Sequence, residues 1–214
     1  MTYDEHTSGL IKNTHWHSTT QPVTPNQKMS LMTYKALVEV VNNGWLDGAD
    51  YDLINGASID VRLGDTFLLE NDPLDYKHKY VDLCDKETPS MSRITFNEDK
   101  DEPVHLHPGQ FVLAETAEIF NLPDHVACEF KLKSSAARAG LNHSLAGWGD
   151  PGFNNATLTL ELQNVLEYHT LLLRPGMKIG QVVFWQGKSV PTQHSYATKG
   201  RYNNQRGPTE SKGV

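Results

Sequence analysis

Residues 127–162 read ACEFKLKSSAARAGLNHSLAGWGDPGFNNATLTLEL, and the two ends of this stretch decide the fold. In Thr157-Leu158-Thr159-Leu160-Glu161-Leu162 the leucines fall on one side and Thr157, Thr159 and Glu161 on the other. A period of two is the signature of a strand with one apolar face. Ala127–Lys133 reads as a second strand. Between the two lie Gly140, Gly147, Gly149, Pro151 and Gly152, which break the chain into turns.

The same grammar recurs on both sides. Ser58–Leu63 alternates between Asn55-Gly56 and Gly64-Asp65, and Phe67–Leu69 follows the second turn. Residues 70–103 are polar and rich in turn formers, with a strand expected around Tyr80–Leu83. Val104–Leu106, Phe111–Thr116, His169–Leu173 and Ile179–Trp185 complete the set. Short strands separated by Gly/Pro turns, with no helix-to-strand alternation, predict a mainly β protein, a sandwich or a barrel. One short N-terminal helix is expected over Thr33–Asn43, with Leu37, Val38, Val40 and Val41 as its apolar face. Thr33 can cap its start and Gly44 suits its left-handed stop. Residues 1–28 read as a polar arm, and Lys199–Val214 reads as a disordered tail on composition alone.

The chain has 214 residues, enough for one domain with a sizeable core. Its formal charge of −7 argues against nucleic-acid polymers, which normally meet a basic face. It does not argue against a small phosphorylated ligand. No run of about 18 apolar residues exists to span a membrane, and residues 1–18 lack the pattern of a secretory signal. Two cysteines, Cys84 and Cys128, are too few for a disulfide framework and wrongly spaced for zinc. A cytoplasmic protein with two structural thiols is expected. His15 and His17 have no third ligand nearby and read as solvated.

Three constellations carry chemistry. Lys131-Leu132-Lys133-Ser134-Ser135-Ala136-Ala137-Arg138 runs a strand into hydroxyls and cations, either an anion cradle or a serine cap on a short, solvated helix. Gly147–Phe153 forces a compact loop holding Trp148, Asp150 and Phe153. It is either a sugar-binding loop or an ordinary wide turn. Glu161 is a carboxylate on a rigid strand, suited to acid/base work if its face lines a pocket and idle if that face meets solvent. The zinc route to cytosine deamination needs P-C-x-x-C, which is absent, as are the Walker A, GxGxxG, HExxH and GxSxG patterns.

Taken in order, these segments resemble the dCTP deaminase family, a branch of the trimeric dUTPase superfamily. The resemblance rests on Ile54–Gly64, Leu106-His107-Pro108-Gly109 with Leu113-Ala114-Glu115-Thr116, and Ser134-Ser135-x-x-Arg138-x-Gly140. It continues in Asp150-Pro151-Gly152-Phe153, Leu160-Glu161 and Leu173-Arg174-Pro175-Gly176-Met177-x-Ile179-Gly180, and covers about residues 30–211.

The resemblance implies a distorted β-barrel or jelly-roll of the trimeric dUTPase type, a homotrimer with active sites between subunits. It implies three parts: an arm at 1–28, the barrel at 29–190 and a lid over the nucleotide at 191–214. It implies deamination of dCTP with water to dUTP and ammonia, without zinc. The alternatives are a bifunctional enzyme giving dUMP and pyrophosphate, or a preference for dCTP modified at C5. In this reading Glu161 is general base and acid, Ser134 and the Ala146 backbone position the water, and Arg138 holds the polar network. Lys133 and Ser135 face the nucleotide, Asp150 lies near the 3′-hydroxyl, and Phe153 near the sugar. Thr159 and Leu160 offer backbone groups to the base, and His143 supports the site from behind or packs in the core. Tyr196 lies near the nucleotide, and Arg201 and Gln205 near the phosphates. Mg²⁺ would arrive with the triphosphate, held by phosphate oxygens and by no protein ligand. The C5 idea comes from Ala136-Ala137, where the family commonly carries a larger residue and Gly. Trp148 and a shortened Gly140–Asp150 loop are further departures.

Overall fold

The computed structural model describes residues 29–72, 80–84, 88–96 and 102–213, so the expected arm lies outside the described residues. In chain order the elements are β1 (Ser30–Leu31), α1 (Tyr34–Asn42), β2 (Leu46–Asp47), β3 (Ile59–Arg62), β4 (Thr66–Glu70), β5 (Met91–Thr95) and β6 (Val104–Leu106). Then come β7 (Phe111–Asn121), β8 (Val126–Leu132), α2 (Ser134–Arg138), β9 (Leu141–His143), β10 (Trp148–Gly149), β11 (Asn154–Asn164), β12 (Leu171–Leu173), β13 (Lys178–Gln186) and α3 (Tyr196–Lys199). The protein is mainly β, as the turn-punctuated alternation predicts.

Among the described residues the strands form three antiparallel sheets. One runs β1-β13-β8-β10, with β3 also on β13. The second runs β5-β4-β7-β11-β9, with β2 also on β7, and β6 pairs β12. Both large sheets turn their apolar faces to one core: Val61, Phe130, Val182 and Phe184 from the first, Phe67, Val112, Phe120, Leu160 and Leu162 from the second. Each fully buried Phe or Leu there contributes about 1.5–3 kcal/mol relative to exposure. A Cβ on Gly180 would sit 2.0 Å from the Phe130 ring, so only glycine lets β13 close on β8 at Gly180↔Leu132. That pairing fixes where β8 ends and α2 begins.

Helix α1 buries Leu37 and Val40, and Gly44 takes φ +64 to end it. The Thr33 hydroxyl makes no capping bond. Instead its carbonyl accepts from Ala36 (2.7 Å) and Leu37 (3.0 Å). The strand expected around Tyr80–Leu83 is absent, and Tyr80, Val81 and Leu83 are exposed outside any described strand. The region's strand is β5, paired with β4 from Thr66↔Thr95 to Glu70↔Met91. β-Propensity at Tyr80–Leu83 finds no partner, whereas β5 is a solvent-facing strand at the sheet edge and carries no apolar alternation to read. Cys128 is buried, its thiol pushed up to about 12 by burial, but Cys84 is exposed, so only one of the two thiols is structural.

Candidate active site

Strand β11 alternates as expected: Leu158, Leu160 and Leu162 enter the core, while Thr159 and Glu161 are half-buried on the opposite face. Two register shifts on β7 bracket the approach, between Asn154 and Ala156 and between Thr157 and Thr159. Asn155 adopts φ 50 at the first. Past the second, Thr159 lies opposite Glu115 and Glu161 opposite Leu113. Beyond β11, β9 covers only Leu162–Asn164, leaving the preceding edge open.

A cavity of about 500 Å³ occupies that open side. Phe111, Leu113 and Leu158 form its apolar floor, with Glu161, Thr159, Asp150 and Ala146 around them. Among the described residues no cation or hydroxyl pairs with the Glu161 carboxylate. Burial raises its pKa, with its own backbone N–H partly offsetting. A carboxyl held above its ordinary range on a rigid strand keeps its proton to higher pH than an exposed one, which suits it to acid/base work.

The loop before β11 supplies the side wall. The Trp148 indole donates to Asp150 Oδ1 (2.9 Å), and Phe153 packs between Phe120 and Tyr196 at centroid distances of 5.8 and 5.6 Å. Gly152, at φ +88, lets Ser195 approach within 2.2 Å of where a Cβ would stand. Ser195 donates to Asp124 (2.6 Å) and caps α3 through the Ala197 N–H (3.1 Å).

The segment after α3 lies across the cavity rather than in solvent. The Asn203 amide donates to the Tyr196 carbonyl (2.6 Å). Gln205 pairs with Thr157, its carbonyl accepting the Thr157 N–H (3.2 Å) and its amide donating to the Thr157 carbonyl (2.8 Å). The Gly207 N–H donates to the buried Glu115 carboxylate (2.7 Å), and the Thr209 N–H to the Thr159 hydroxyl (3.2 Å). Tyr196, Tyr202, Gln205, Thr209, Glu210 and Ser211 thereby line the Glu161 cavity.

Of the sequence-predicted residues, Glu161, Ala146, Asp150, Phe153, Thr159, Tyr196 and Gln205 meet at this one cavity. Ser134, Ser135 and Arg138 do not. They sit on α2, exposed, and line none of it. Lys133 is held by the buried Asp60 (2.7 Å), which Asn55 also donates to (2.9 Å). The Leu160 side chain is core. His143 is 4% exposed, edge-on to Phe130 at 4.9 Å, and its pKa is lowered by burial and by Lys131. Its Nδ1 has no partner among the described residues. The Arg201 guanidinium donates to the Gly213 carbonyl (2.8 Å) and lines a neighbouring cavity of about 370 Å³ with His194 and Lys199. That cavity shares Asp150, Tyr196 and Tyr202 with the first. Ala136 packs against the core and Ala137 is exposed, so neither enlarges the Glu161 cavity of this chain.

Phe111, Thr88, Thr209 and Glu210 line the cavity without having been singled out, and Leu113 lines it although the sequence shows it only as part of a motif. Phe111 and Leu113 sit opposite Gln163 and Glu161, a pairing no local pattern reveals. Among the described residues no cluster of His, Cys, Asp or Glu is suited to a metal ion, and no helix is long and apolar enough to cross a membrane.

The mainly β, antiparallel architecture is that of the dCTP deaminase/dUTPase fold. The dCTP deaminase of Agrobacterium tumefaciens is similar in structure, with a TM-score of 0.57 and 16% identity over 74% of this chain. The chain spans about half of that longer one (48%). Residues 32–187 match the dCTP deaminase-like family. An Acidothermus cellulolyticus protein named "dCTP deaminase, dUMP-forming" is 44% identical over 172 residues, 78% of this chain and 85% of its own. One of the same name from Streptomyces coelicolor is 38% identical over 193 residues, 85% and 94% of the two chains. The chain belongs to the dCTP deaminase-like family and is an enzyme, a hydrolase acting on cytosine nucleotides. These names overturn the expectation of dUTP as the end product, since the relatives form dUMP. The residues around Glu161 speak only to removal of the amine. No separate motif in the sequence pointed to phosphate cleavage.

Proposed function

We propose that the chain converts dCTP and two waters to dUMP, ammonia and pyrophosphate. The single observation that carries the deamination is Glu161: a half-buried carboxylate with no cation or hydroxyl paired to it among the described residues, on a strand, at the wall of a cavity of about 500 Å³. The dUMP-forming relatives support the second hydrolysis.

Glu161 takes a proton from water as it adds to C4 and delivers it to ring N3; it then takes the proton of the new C4 hydroxyl and passes it to the amine, which leaves as ammonia when the C4–N bond breaks and the C4 carbonyl forms. Asp150 accepts from the sugar 3′-hydroxyl, and Phe153 disfavours a 2′-hydroxyl. Thr159 and Leu160 offer backbone groups along the open edge of β11. Residues 191–214 act as the lid, with Gln205 at the nucleotide and Arg201 at the phosphates.

Ser134 and Arg138 are exposed on α2, outside this chain's cavity. We assign them, with Ser135 and Lys133, to the cavity of a neighbouring copy in a homotrimer. There a donor such as Arg138 contributes about 3 kcal/mol against developing charge. The family implies Mg²⁺ with the triphosphate. The scattered cavity carboxylates Asp150, Glu161 and Glu210 suit an ion held mainly by phosphate oxygens. That ion supplies charge neutralisation on the phosphates.

The test is incubation with dCTP and Mg²⁺ and chromatography of the products. dUMP with pyrophosphate is expected, and dUTP accumulating as the sole nucleotide product refutes the second step. Glu161→Gln should bind dCTP yet lose about 10²-fold or more in turnover. Unchanged turnover refutes the role of Glu161.

A further inference from the structure

Trp148 and Asp150 are two residues apart on a segment with little freedom. Trp148 pairs with Glu129 and Gly149 with Cys128 across β10 and β8. A Cβ on Gly149 would stand 2.7 Å from Cys128 Sγ, so the strand is pressed onto its neighbour between the two side chains. Residues two apart on a strand share a face, and both line the Glu161 cavity. The Asp150 carbonyl is engaged as well, accepting the Phe153 N–H (3.0 Å).

The indole N–H is a donor with no acceptor capacity, and it spends that one bond on Asp150 Oδ1 at 2.9 Å. A hydrogen bond to a carboxylate is among the stronger kinds. No cation pairs with Asp150 among the described residues, so the indole is the group that sets its rotamer. One carboxylate oxygen is taken and the other remains free to accept.

We propose that Trp148 is a positioning residue for sugar recognition. Its indole N–H fixes the Asp150 carboxylate so that the free oxygen meets the 3′-hydroxyl of the nucleotide, and discrimination against 3′-deoxy substrates depends on that bond. This rests on the assignment of Asp150 to the 3′-hydroxyl. Trp148 is half exposed and its indole N–H is committed to Asp150, so it acts through Asp150.

The test compares dCTP with 2′,3′-dideoxy-CTP on four proteins: wild type, Trp148→Phe, Trp148→His and Asp150→Ala. Phenylalanine keeps an aromatic wall and deletes the donor, whereas an imidazole Nε2–H restores one at the corresponding ring position. In Trp148→Phe the kcat/KM for dCTP should fall about 10-fold through KM, with kcat within about 2-fold, as for a lost bond to a charged group. The kcat/KM for the dideoxy substrate should hardly change, so the preference narrows, and Trp148→His should recover most of it. If Asp150→Ala abolishes the preference while Trp148→Phe keeps it, the role of Trp148 is refuted and that of Asp150 stands. Equal losses on both substrates make Trp148 a cavity wall and also refute it. If Asp150→Ala retains the full preference, Asp150 does not hold the 3′-hydroxyl and both assignments fall. Should Trp148→Phe not fold, Trp148→His decides: loss of the preference there, with dideoxy turnover unchanged, refutes rescue by the donor.

Discussion

Glu115→Ala isolates the fastening of the C-terminal segment. Glu115 is 7% exposed and accepts the Gly207 N–H at 2.7 Å, and Gly207 is itself buried. Burial raises the Glu115 pKa, with Asp65 adding to the rise and the Thr157 hydroxyl, the Gly207 N–H and Arg93 opposing it. The site therefore disfavours the charge, and alanine removes that cost from the barrel. The Gly207 N–H, however, is buried and loses its acceptor, a loss of about 1–3 kcal/mol. These two terms separate in space: global stability should move little, while docking of residues 205–211 weakens. At about 1.4 kcal/mol per decade, local opening should rise by about 5- to 150-fold. Amide hydrogen exchange should then accelerate by that factor at residues 205–211 but not along β8 and β13, and KM for dCTP should rise as far as the closed fraction falls. Glu115→Gln keeps an acceptor oxygen and should exchange like wild type. Wild-type protection at Gly207 in Glu115→Ala would refute the reasoning.

Two further outcomes follow from the same geometry. Burial raises the Glu161 pKa, so its proton is lost only at higher pH than from an exposed glutamate, and the base is used up sooner as pH falls. The acid limb of kcat/KM should lie above the ordinary carboxylate value of about 4.3, and a limb at or below that value sinks the assignment. Ser134→Ala and Glu161→Gln should each be inactive alone. Refolded together, they should regain about one site in four if neighbouring copies complete each cavity; no recovery places the whole site within one chain.

How much of this was legible in the sequence depends on how local each cause is. Leu158, Leu160 and Leu162 announce β11 because one of its faces is core and the other is not. β7 hides its polar residues: β4 and β11 flank it and both its faces are covered, so Val112 through Thr116 are all buried and Glu115 breaks no visible period. The engagement of Lys133 by Asp60 joins residues 73 positions apart, and nothing beside Lys133 betrays it. The 199–213 segment is polar enough to read as disorder. Its order comes from partners on β7 and β11 that only the folded barrel brings within reach. The end product was legible from neither motif nor pattern.

The paired register shifts between β11 and β7 make the length of chain ahead of Glu161 a functional quantity. Each shifts the ladder against β7, one between Asn154 and Ala156 and one between Thr157 and Thr159. Losing or gaining a single residue there would rotate every later side chain to the other surface of the sheet. Leu160 and Leu162 would then turn out of the core, and the Glu161 carboxylate would be driven into it. Point substitutions across residues 154–157 test only packing, whereas one-codon deletions or insertions at the same place should extinguish activity before any other measure of the protein suggests why.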